Sequence, residues 1–218
     1  MTLTLEALRL EAEAALWDVE EGDGLSAADA ALIRLGLAAS PTCLDAGAIE
    51  KAARDALAAG VPGRALHEVI VLVSGLGVHT LMIASGRIAA TRAAAGDETL
   101  PAARDENAEL AWRRRVGEAR YWNEFDAKVP DFLDPLLRQS RPAFEGFFDY
   151  CALPWQDRSL GAIQMELVSI AVDACPTHRF GPGFRLHLDN AIRLGAGRLA
   201  ILACLDIAAA APDHPGVD

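Results

Sequence analysis

The tetrapeptide Ser40-Pro41-Thr42-Cys43 recurs 135 positions later as Cys175-Pro176-Thr177-His178, and this recurrence decides the fold prediction. The same offset aligns residues 25–79 with residues 160–214 without a gap. A period of this kind is sought before any local pattern, because a missed repeat gives the wrong architecture. The identical pairs at this offset include Leu32/Leu167, Ala39/Ala174, Ala56/Ala191, Gly60/Gly195 and His79/His214. We therefore expect one structural unit to occur twice.

The two copies differ at the positions that could carry chemistry. The ionisable residues of the second copy and their counterparts in the first are Glu166/Ala31, His178/Cys43 and His187/Ala52. A carboxylate and an imidazole are groups that general acid–base catalysis uses, whereas an alanine side chain neither donates nor accepts a proton. The asymmetry predicts one working copy and one structural copy.

The composition and the apolar spacing predict an all-α fold. Alanine and leucine are abundant, and both lose little side-chain freedom in a helix. Apolar residues recur at helical spacing, and no alternating strand pattern of useful length is present. The predicted helices are 3–20, 26–39 with Ser26 as N-cap, 46–59, 64–83, 160–175, 184–194 and 198–211. The apolar stretch Val69 to Ala84 predicts a buried central helix and is too short to span a membrane.

The repeat also sets the predicted domain organisation. Residues 1–24 form an N-terminal helix, and residues 25–96 form the first copy. Residues 97–159 form a helical connector that contains most of the aromatic residues. The small and charged residues at 85–105 suit a linker or a loose helix end. Residues 160–218 form the second copy, which carries the candidate site.

Charge and cysteine usage exclude several classes of function. A formal net charge of −11 argues against nucleic-acid binding and against docking on anionic lipid. Residues 1–6 lack the basic region and apolar run of a secretory signal. The cysteines show neither a CxxC motif nor zinc-type spacing. We therefore expect a cytoplasmic protein with reduced thiols.

The candidate site lies around the end of one helix and the start of the next. Glu166 falls inside an apolar helix, His178 falls in the following loop, and His187 falls near the start of the next helix. A helix N-terminus disfavours an imidazolium ion, so His187 could act as a neutral base. Arg185 could hold an acidic substrate. Tyr121 and Trp155 could wall a pocket for a flat organic ligand, or simply pack the connector.

Each of these residues also has a structural interpretation. A lone histidine on an amphipathic helix is more often a packing residue than a catalyst. His178 and His187 lack the spacing of a metal site, so neither a metal nor a cofactor is predicted. Cys175 could be a partly exposed thiol, but a small buried apolar residue is the better interpretation.

Together these residues resemble the carboxymuconolactone decarboxylase family of the alkylhydroperoxidase D-like superfamily. The matching residues are the Glu166-Leu-Val-Ser-Ile-Ala-Val helix, Thr177-His178, and His187-x-x-x-Ala191-x-x-x-Gly195-Ala196. The first copy keeps a weaker trace in Ala56-x-x-x-Gly60 and Gly75-Leu-Gly-Val-His79. The resemblance covers both copies and leaves the N-terminal helix and the connector outside.

The resemblance implies a tandem duplication of an alkylhydroperoxidase D-like helical unit. It also implies self-association, as a trimer of two-repeat chains that mimics a hexamer, or as a dimer. The alkylhydroperoxidase branch carries a redox CxxC, but Phe180 and Gly183 stand at those positions here. Glu166 and His187, and less surely His178, match the groups that are thought to move protons on a lactone acid in the decarboxylase branch.

Three functional hypotheses follow. The first is a cofactor-free acid–base enzyme acting on a small organic acid or lactone, with His187 as the principal acid or base and Glu166 as its partner. Decarboxylation, isomerisation or a related proton transfer would fit. The second is a non-catalytic helical scaffold or ligand-binding protein. The third is a thiol peroxidase-related protein that uses Cys175 alone, which the missing CxxC disfavours.

Overall fold

The computed structural model describes residues 2–151, 153–154 and 159–217, and every regular element within them is helical, as predicted. The α-helices in these ranges are α1 (Leu5–Ala15), α2 (Ala27–Ala39), α3 (Ala46–Ala58), α4 (Gly63–Ser74), α5 (His79–Ala94), α6 (Glu106–Arg115), α7 (Arg120–Lys128), α8 (Leu133–Gln139), α9 (Arg141–Cys151), α10 (Ala162–Ala174), α11 (Gly181–Arg193) and α12 (Arg198–Ala209). A short 3₁₀ turn, Gly75–Val78, joins α4 to α5.

The residues group into two compact units. Met1–Leu76 and Pro154–Asp218 form the first unit, which holds α1–α4 and α10–α12. Gly77–Leu153 forms the second unit, which holds α5–α9. The predicted boundaries at 24, 96 and 159 rest on the sequence offset alone and stay a prediction.

Apart from α1, the helices described in the first unit form two sets of three with matching bounds: α2–α4, the first segment, and α10–α12, the second segment. Helices α2, α3 and α4 begin and end 135 positions before α10, α11 and α12, respectively. The turns between them match as well. Leu44 has a φ of 49° and its counterpart Arg179 a φ of 53°, while Gly60 has 84° and Gly195 has 91°. The two segments therefore share their helix lengths and their turn geometry.

Helices α2 and α10 form the centre of the first unit. Every residue from Met165 to Ala174 is buried, so α10 is enclosed on all sides. Gly36 of α2 lets the two helices approach closely, because a Cβ at this position would lie 2.6 Å from Val168 Cγ1. Helices α3 and α4 pack on α2, and α11 and α12 pack on α10.

Residues at equivalent positions of α2 and α10 contact each other. Gln164 donates a hydrogen bond to Asp29 Oδ1 at 2.6 Å near the start of the two helices. Thr177 donates to Thr42 Oγ1 at 3.1 Å in the turns that follow them. Because equivalent residues meet at both ends, α2 and α10 run side by side in the same direction. This arrangement brings the two turns together.

Local capping explains where several of these helices begin. Ser26 Oγ accepts a hydrogen bond from the Asp29 backbone N–H at 3.0 Å, so Ser26 is the N-cap of α2 as predicted. Asp45 caps α3 in the same way through Ala48 at 2.9 Å. Glu68 of α4 accepts bonds from the backbone N–H groups of Ser159 and Leu160 at 2.9 and 2.8 Å, which fixes the approach of the chain to α10.

The second unit is organised around aromatic side chains. Trp122 of α7 contacts Phe148 of α9 edge-to-face, with ring centroids 4.7 Å apart. Phe132 and Phe147 meet at 5.0 Å in the same geometry. Arg104 lies over the ring of Trp112 at 4.1 Å, a cation–π contact. Edge-to-face rings at these distances are favourable beyond their buried area, so the aromatic residues form the core of this unit.

The helix predicted over 64–83 is longer in the structure, and the prediction that it is buried is wrong for much of its length. The helical stretch continues from Gly63 to Ala94, and only 22% of its most apolar 18-residue window is buried. Ile83 and Ile88 are 45% and 51% exposed. Among the described residues, this stretch has the length and hydropathy of a membrane-crossing helix, a weak criterion that core helices of non-membrane proteins also meet.

Candidate acid–base site

The candidate site centres on a hydrogen bond between α10 and α11. His187 Nδ1 lies 2.7 Å from Glu166 Oε2. The Glu166 side chain is 3% exposed, whereas the imidazole of His187 is 21% exposed. The two residues that the repeat comparison selected are therefore in contact, with the carboxylate inside and the imidazole nearer the surface.

Asn190 and Arg193 extend this contact along α11. Asn190 Nδ2 donates to the second carboxylate oxygen, Glu166 Oε1, at 3.3 Å. Arg193 in turn donates to Asn190 Oδ1. His187, Asn190 and Arg193 are three residues apart and share one face of the helix. Both oxygens of the buried Glu166 are thus engaged by residues of α11, which fixes the orientation of the carboxylate.

A second pair, Asp173 and His178, lies at the other end of α10. Asp173 is 1% exposed. His178 Nε2 lies 3.7 Å from Asp173 Oδ1, and the His178 side chain is 16% exposed. The backbone supports this arrangement, because Phe180 N donates to Asp173 O at 2.8 Å and Arg179 adopts a left-handed conformation. The structure therefore places His178 beside Asp173 and records no hydrogen bond between His178 and Glu166.

Gly183 makes room for the Asp173 carboxylate at the start of α11. A Cβ on Gly183 would lie 2.2 Å from Asp173 Oδ2 and 2.8 Å from Phe180 Cδ1. In the first segment Ala48 corresponds to Gly183 and Ala38 corresponds to Asp173. An alanine is therefore present at the glycine position where the carboxylate is absent. Pro182 falls in the first turn of α11, where its missing N–H costs nothing.

The environment shifts the pKa values of three of these groups. Burial alone would lower the pKa of His187, but the hydrogen bond and the charge of Glu166, followed by the charge of Asp173, raise it above its ordinary value. Burial raises the pKa of Asp173 to about 7, against the opposing effect of His187. Burial lowers the pKa of His178. The site thus holds groups that can exchange protons near neutral pH.

Two of the three predicted substrate contacts, Arg185 and Tyr121, have other partners within their own units. Arg185 forms a two-point ion pair with Glu11 of α1, at 2.7 and 2.8 Å, on the surface of the unit. Tyr121 belongs to the second unit, where it is 45% exposed and contacts Trp122 edge-to-face. Trp155 lies outside the described residues. The roles of Arg185, Tyr121 and Trp155 in substrate binding therefore stay predictions.

Cys175 is fully buried. Its Sγ lies 3.2 Å from Val172 O and 3.2 Å from Thr177 Oγ1. Cys43, the counterpart of His178, is also fully buried and lies 3.6 Å from the same hydroxyl. The interpretation of Cys175 as a small buried residue agrees with this position.

A cavity of about 500 Å³ lies in the first segment, and its walls come from α2, α3 and the end of α12. Its lining includes Ala38 and Ala52, the counterparts of Asp173 and His187. Two of the positions that hold ionisable groups in the second segment thus line a cavity in the first.

Sequence reasoning missed Asp173 and Asn190. Both differ from their counterparts, Ala38 and Asp55, so a complete list of repeat mismatches contains them. For Asp173 a further signal was present, because a carboxylate flanked by Val172 and Ala174 in an apolar helix is costly unless it is partnered.

The comparisons with known proteins bear on the fold and the family. No model of a protein family matches the chain, and no curated protein matches it at a significant level. Among solved structures, the chain is similar to a protein from Burkholderia xenovorans LB400, described as a "putative gamma-carboxymuconolactone decarboxylase subunit". The two share 27% sequence identity and a TM-score of 0.71, over 84% of this chain and 71% of that chain. The likeness supports the resemblance to the carboxymuconolactone decarboxylase family, and the chain has the helical fold of that structure.

Proposed function

We propose that this protein is a cofactor-free acid–base enzyme of the carboxymuconolactone decarboxylase-like type, acting on a small organic acid or lactone. The 2.7 Å contact between His187 and the buried Glu166 carries the proposal. A buried carboxylate that fixes one imidazole nitrogen selects the tautomer and raises the basicity of the other nitrogen, as in catalytic triads. The name of the similar solved structure agrees with a lyase reaction.

In this proposal His187 moves the proton through Nε2. Its Nδ1–H donates to Glu166, so the neutral ring presents the Nε2 lone pair as a base, and the protonated ring presents Nε2–H as an acid. In a decarboxylation, the electron pair released by the broken C–C bond stays on carbon and takes the proton from His187. In an isomerisation, the same ring removes a proton from one carbon and returns it to another.

Asp173 and His178 form a second proton-handling pair in the turn between α10 and α11. Burial keeps His178 neutral at pH 7, since its pKa lies below the ordinary value. Asp173 titrates near neutral pH, with a pKa of about 7. The pair could deliver a proton to a leaving or developing oxygen while His187 acts on carbon.

We also propose that the two three-helix segments are copies of one ancestral unit and that the second copy alone kept the acid–base groups. The matching helix bounds and the matching left-handed turns support this. Alanines at 31, 38 and 52 in the first copy mark the loss of Glu166, Asp173 and His187 equivalents.

Turnover of unsaturated lactone acids and short oxo acids tests the proposal. Purified protein is incubated with γ-carboxymuconolactone and with related acids, and release of CO₂ is measured. The same mixtures in D₂O are followed by NMR, because proton exchange also reveals isomerisation. We expect His187→Asn to lower kcat by about 10²- to 10⁴-fold, with a smaller loss for Glu166→Gln. Arg185→Gln and Tyr121→Phe test the remaining substrate contacts through KM.

Cys175→Ser is the matched control, because the proposal assigns that thiol no catalytic role. Loss of turnover in Cys175→Ser with retained turnover in His187→Asn would favour the thiol hypothesis instead. If no acid shows turnover or exchange, the acid–base proposal fails and the ligand-binding or scaffold alternative takes its place. In that case Glu166→Gln and His187→Asn should fold normally by circular dichroism.

A further inference from the structure

Two cysteines from equivalent turns lie around one shared hydroxyl group. Cys43 Sγ is 3.6 Å from Thr177 Oγ1, and Cys175 Sγ is 3.2 Å from the same atom. Cys43 follows α2 and Cys175 follows α10, so each of the two matching segments supplies one thiol. Both cysteines are fully buried. The pair arises from the packing of the two segments and not from a CxxC motif.

The surroundings of this pair are polar although they are buried. Thr177 donates to Thr42 Oγ1 at 3.1 Å, and the hydroxyl groups of Ser40 and Thr42 lie 3.0 Å apart. Hydroxyl donors around a sulfur stabilise its thiolate. Hydrogen bonding with Cys175, followed by the effect of the nearby hydroxyl groups, outweighs burial and lowers the pKa of Cys43 to about 5. The neighbouring Cys43 and burial together raise the pKa of Cys175.

An unequal pair of this kind suits disulfide chemistry. The thiolate is the nucleophile in thiol oxidation, and a second thiol near it resolves the first product. The other two cysteines differ, since burial raises the pKa of Cys151 to about 11 and also raises that of Cys204. Cys204 Sγ lies against the backbone carbonyl of Leu167 at 3.1 Å.

We propose that Cys43 and Cys175 are a redox site that closes to a reversible disulfide when the protein meets a hydroperoxide. The Cys43 thiolate attacks the peroxide O–O bond and becomes a sulfenic acid, and the peroxide leaves as an alcohol, or as water from H₂O₂. The Cys175 thiol then attacks the sulfenic sulfur and displaces water, which leaves the disulfide. A dithiol reductant restores both thiols by giving up two electrons and two protons.

The disulfide would tie together the two turns that follow α2 and α10. His178 lies in the second of these turns, beside Thr177. A covalent link between distant points of the chain restricts the unfolded state, so the oxidised protein should melt at a higher temperature than the reduced protein. Neither thiol belongs to the contact between His187 and Glu166 that carries the acid–base proposal, so the cysteine proposal can fail while that one stands.

Peptide mapping of the wild-type protein tests the proposal directly. Native protein is treated with H₂O₂, its remaining thiols are alkylated, and it is digested without reductant. We expect a cross-linked peptide that contains Cys43 and Cys175, an intact mass lower by two hydrogens, and full reversal by dithiothreitol. The melting temperature should rise on oxidation and fall again on reduction.

Single substitutions identify the attacking sulfur. In Cys175→Ala the sulfenic acid on Cys43 should persist and react with dimedone, whereas Cys43→Ala should show no such adduct on Cys175. Cys204→Ser, which removes another buried thiol, should leave the cross-link intact. The proposal is overturned if treated wild-type protein keeps all four thiols open to alkylation after denaturation, or if the disulfide joins Cys151 residues of two chains. Sulfinic acid on Cys43 beside an unmodified Cys175 would overturn it as well.

Discussion

At the scale of single residues, Glu166 sets the protonation of His187. Glu166→Gln keeps the shape of the side chain but removes the charge that raises the pKa of His187, while burial continues to lower it. We therefore expect the pKa of His187 to fall below its wild-type value. Titration of the imidazole signals by NMR measures this. Glu11→Gln is the control. It removes the ion-pair partner of Arg185, which lies on the same helix as His187, and it should leave the titration of His187 unchanged.

Asp173 should make the stability of the protein depend on pH. Its pKa is raised from 3.8 to about 7, so the folded state holds a proton that the unfolded state releases between those values. The free energy of unfolding then falls as pH rises through this window, by on the order of 4 kcal/mol. In Asp173→Asn the free energy of unfolding should no longer fall as pH rises. The variant should be more stable than the wild type at about pH 8, but not at about pH 4.

Urea unfolding of both proteins across that range measures the effect of Asp173. Asp206→Asn is the control, because it replaces a carboxylate that is 65% exposed and should leave the slope unchanged. Parallel curves for the wild type and Asp173→Asn would contradict the expectation.

The sequence predicts the centre of the site better than its periphery. Comparing the two matching segments selects Glu166 and His187, because each of these ionisable residues stands opposite an alanine. It cannot show that α1 lies against α11 and gives Arg185 a partner in Glu11, since that contact joins residues 174 positions apart. The position of His178 beside Asp173 is also not predictable from the helix period. The conformation of the turn between α10 and α11 determines where the His178 side chain lies.

At the scale of elements, the packing of α10 against α11 depends on matched small and large side chains. Gly183→Ala should cost about 1–3 kcal/mol, because the new methyl group meets the Asp173 carboxylate. The double variant Asp173→Ala/Gly183→Ala reproduces the Ala38 and Ala48 pair of the first segment. We expect its cost to be less than the sum of the single costs, with a coupling of about 0.5–3 kcal/mol.

Urea unfolding of the two single variants and the double variant gives this coupling. The Phe180 ring, 2.8 Å from the new methyl group, accounts for the cost that should remain in the double variant. Additive costs would show that Asp173 and Gly183 do not constrain each other. Gly47→Ala, at an open position of α3, is the matched control.

Helix prediction worked where periodicity and caps agreed, as in α2 and α3, and it left the end of α5 open. Residues 85–94 are small and partly charged, which suits a linker or a loose helix end, and in the structure they continue the helix. Four of these ten residues are alanines, the strongest helix former, and no proline interrupts them. Gln139 of α8 also donates to Ser85 O at 2.9 Å, a tertiary contact that local patterns do not reveal.

At the scale of the whole molecule, the exposed apolar residues of α5 favour self-association. Ile83 and Ile88 are about half exposed in a stretch whose apolar window is only 22% buried. We expect a trimer or dimer in solution, with burial of this face as its main driving force. Light scattering after size-exclusion chromatography measures the mass, and Ile88→Glu should shift it towards the monomer. Leu10→Glu, on the exposed face of α1, should not.

A monomeric wild-type protein at micromolar concentration would contradict the expected self-association. Flotation with neutral lipid vesicles distinguishes the other way of covering this face. If the wild type floats and Ile88→Glu does not, a membrane and not a second copy is the partner.

The hydrogen bond between Asp29 and Gln164 has a consequence for how such a chain evolves. In a symmetric dimer of separate single-unit chains, this position would face its own copy, as two aspartates or as two glutamines. Two aspartates would repel each other, and no single mutation could place different residues on the two sides. If the two segments are copies of one ancestral unit, as proposed above, fusion into one gene removed that constraint, and each side of the axis could change alone. On that proposal the Asp–Gln pair arose after the halves were joined, and the same freedom allowed a histidine in one half opposite an alanine in the other.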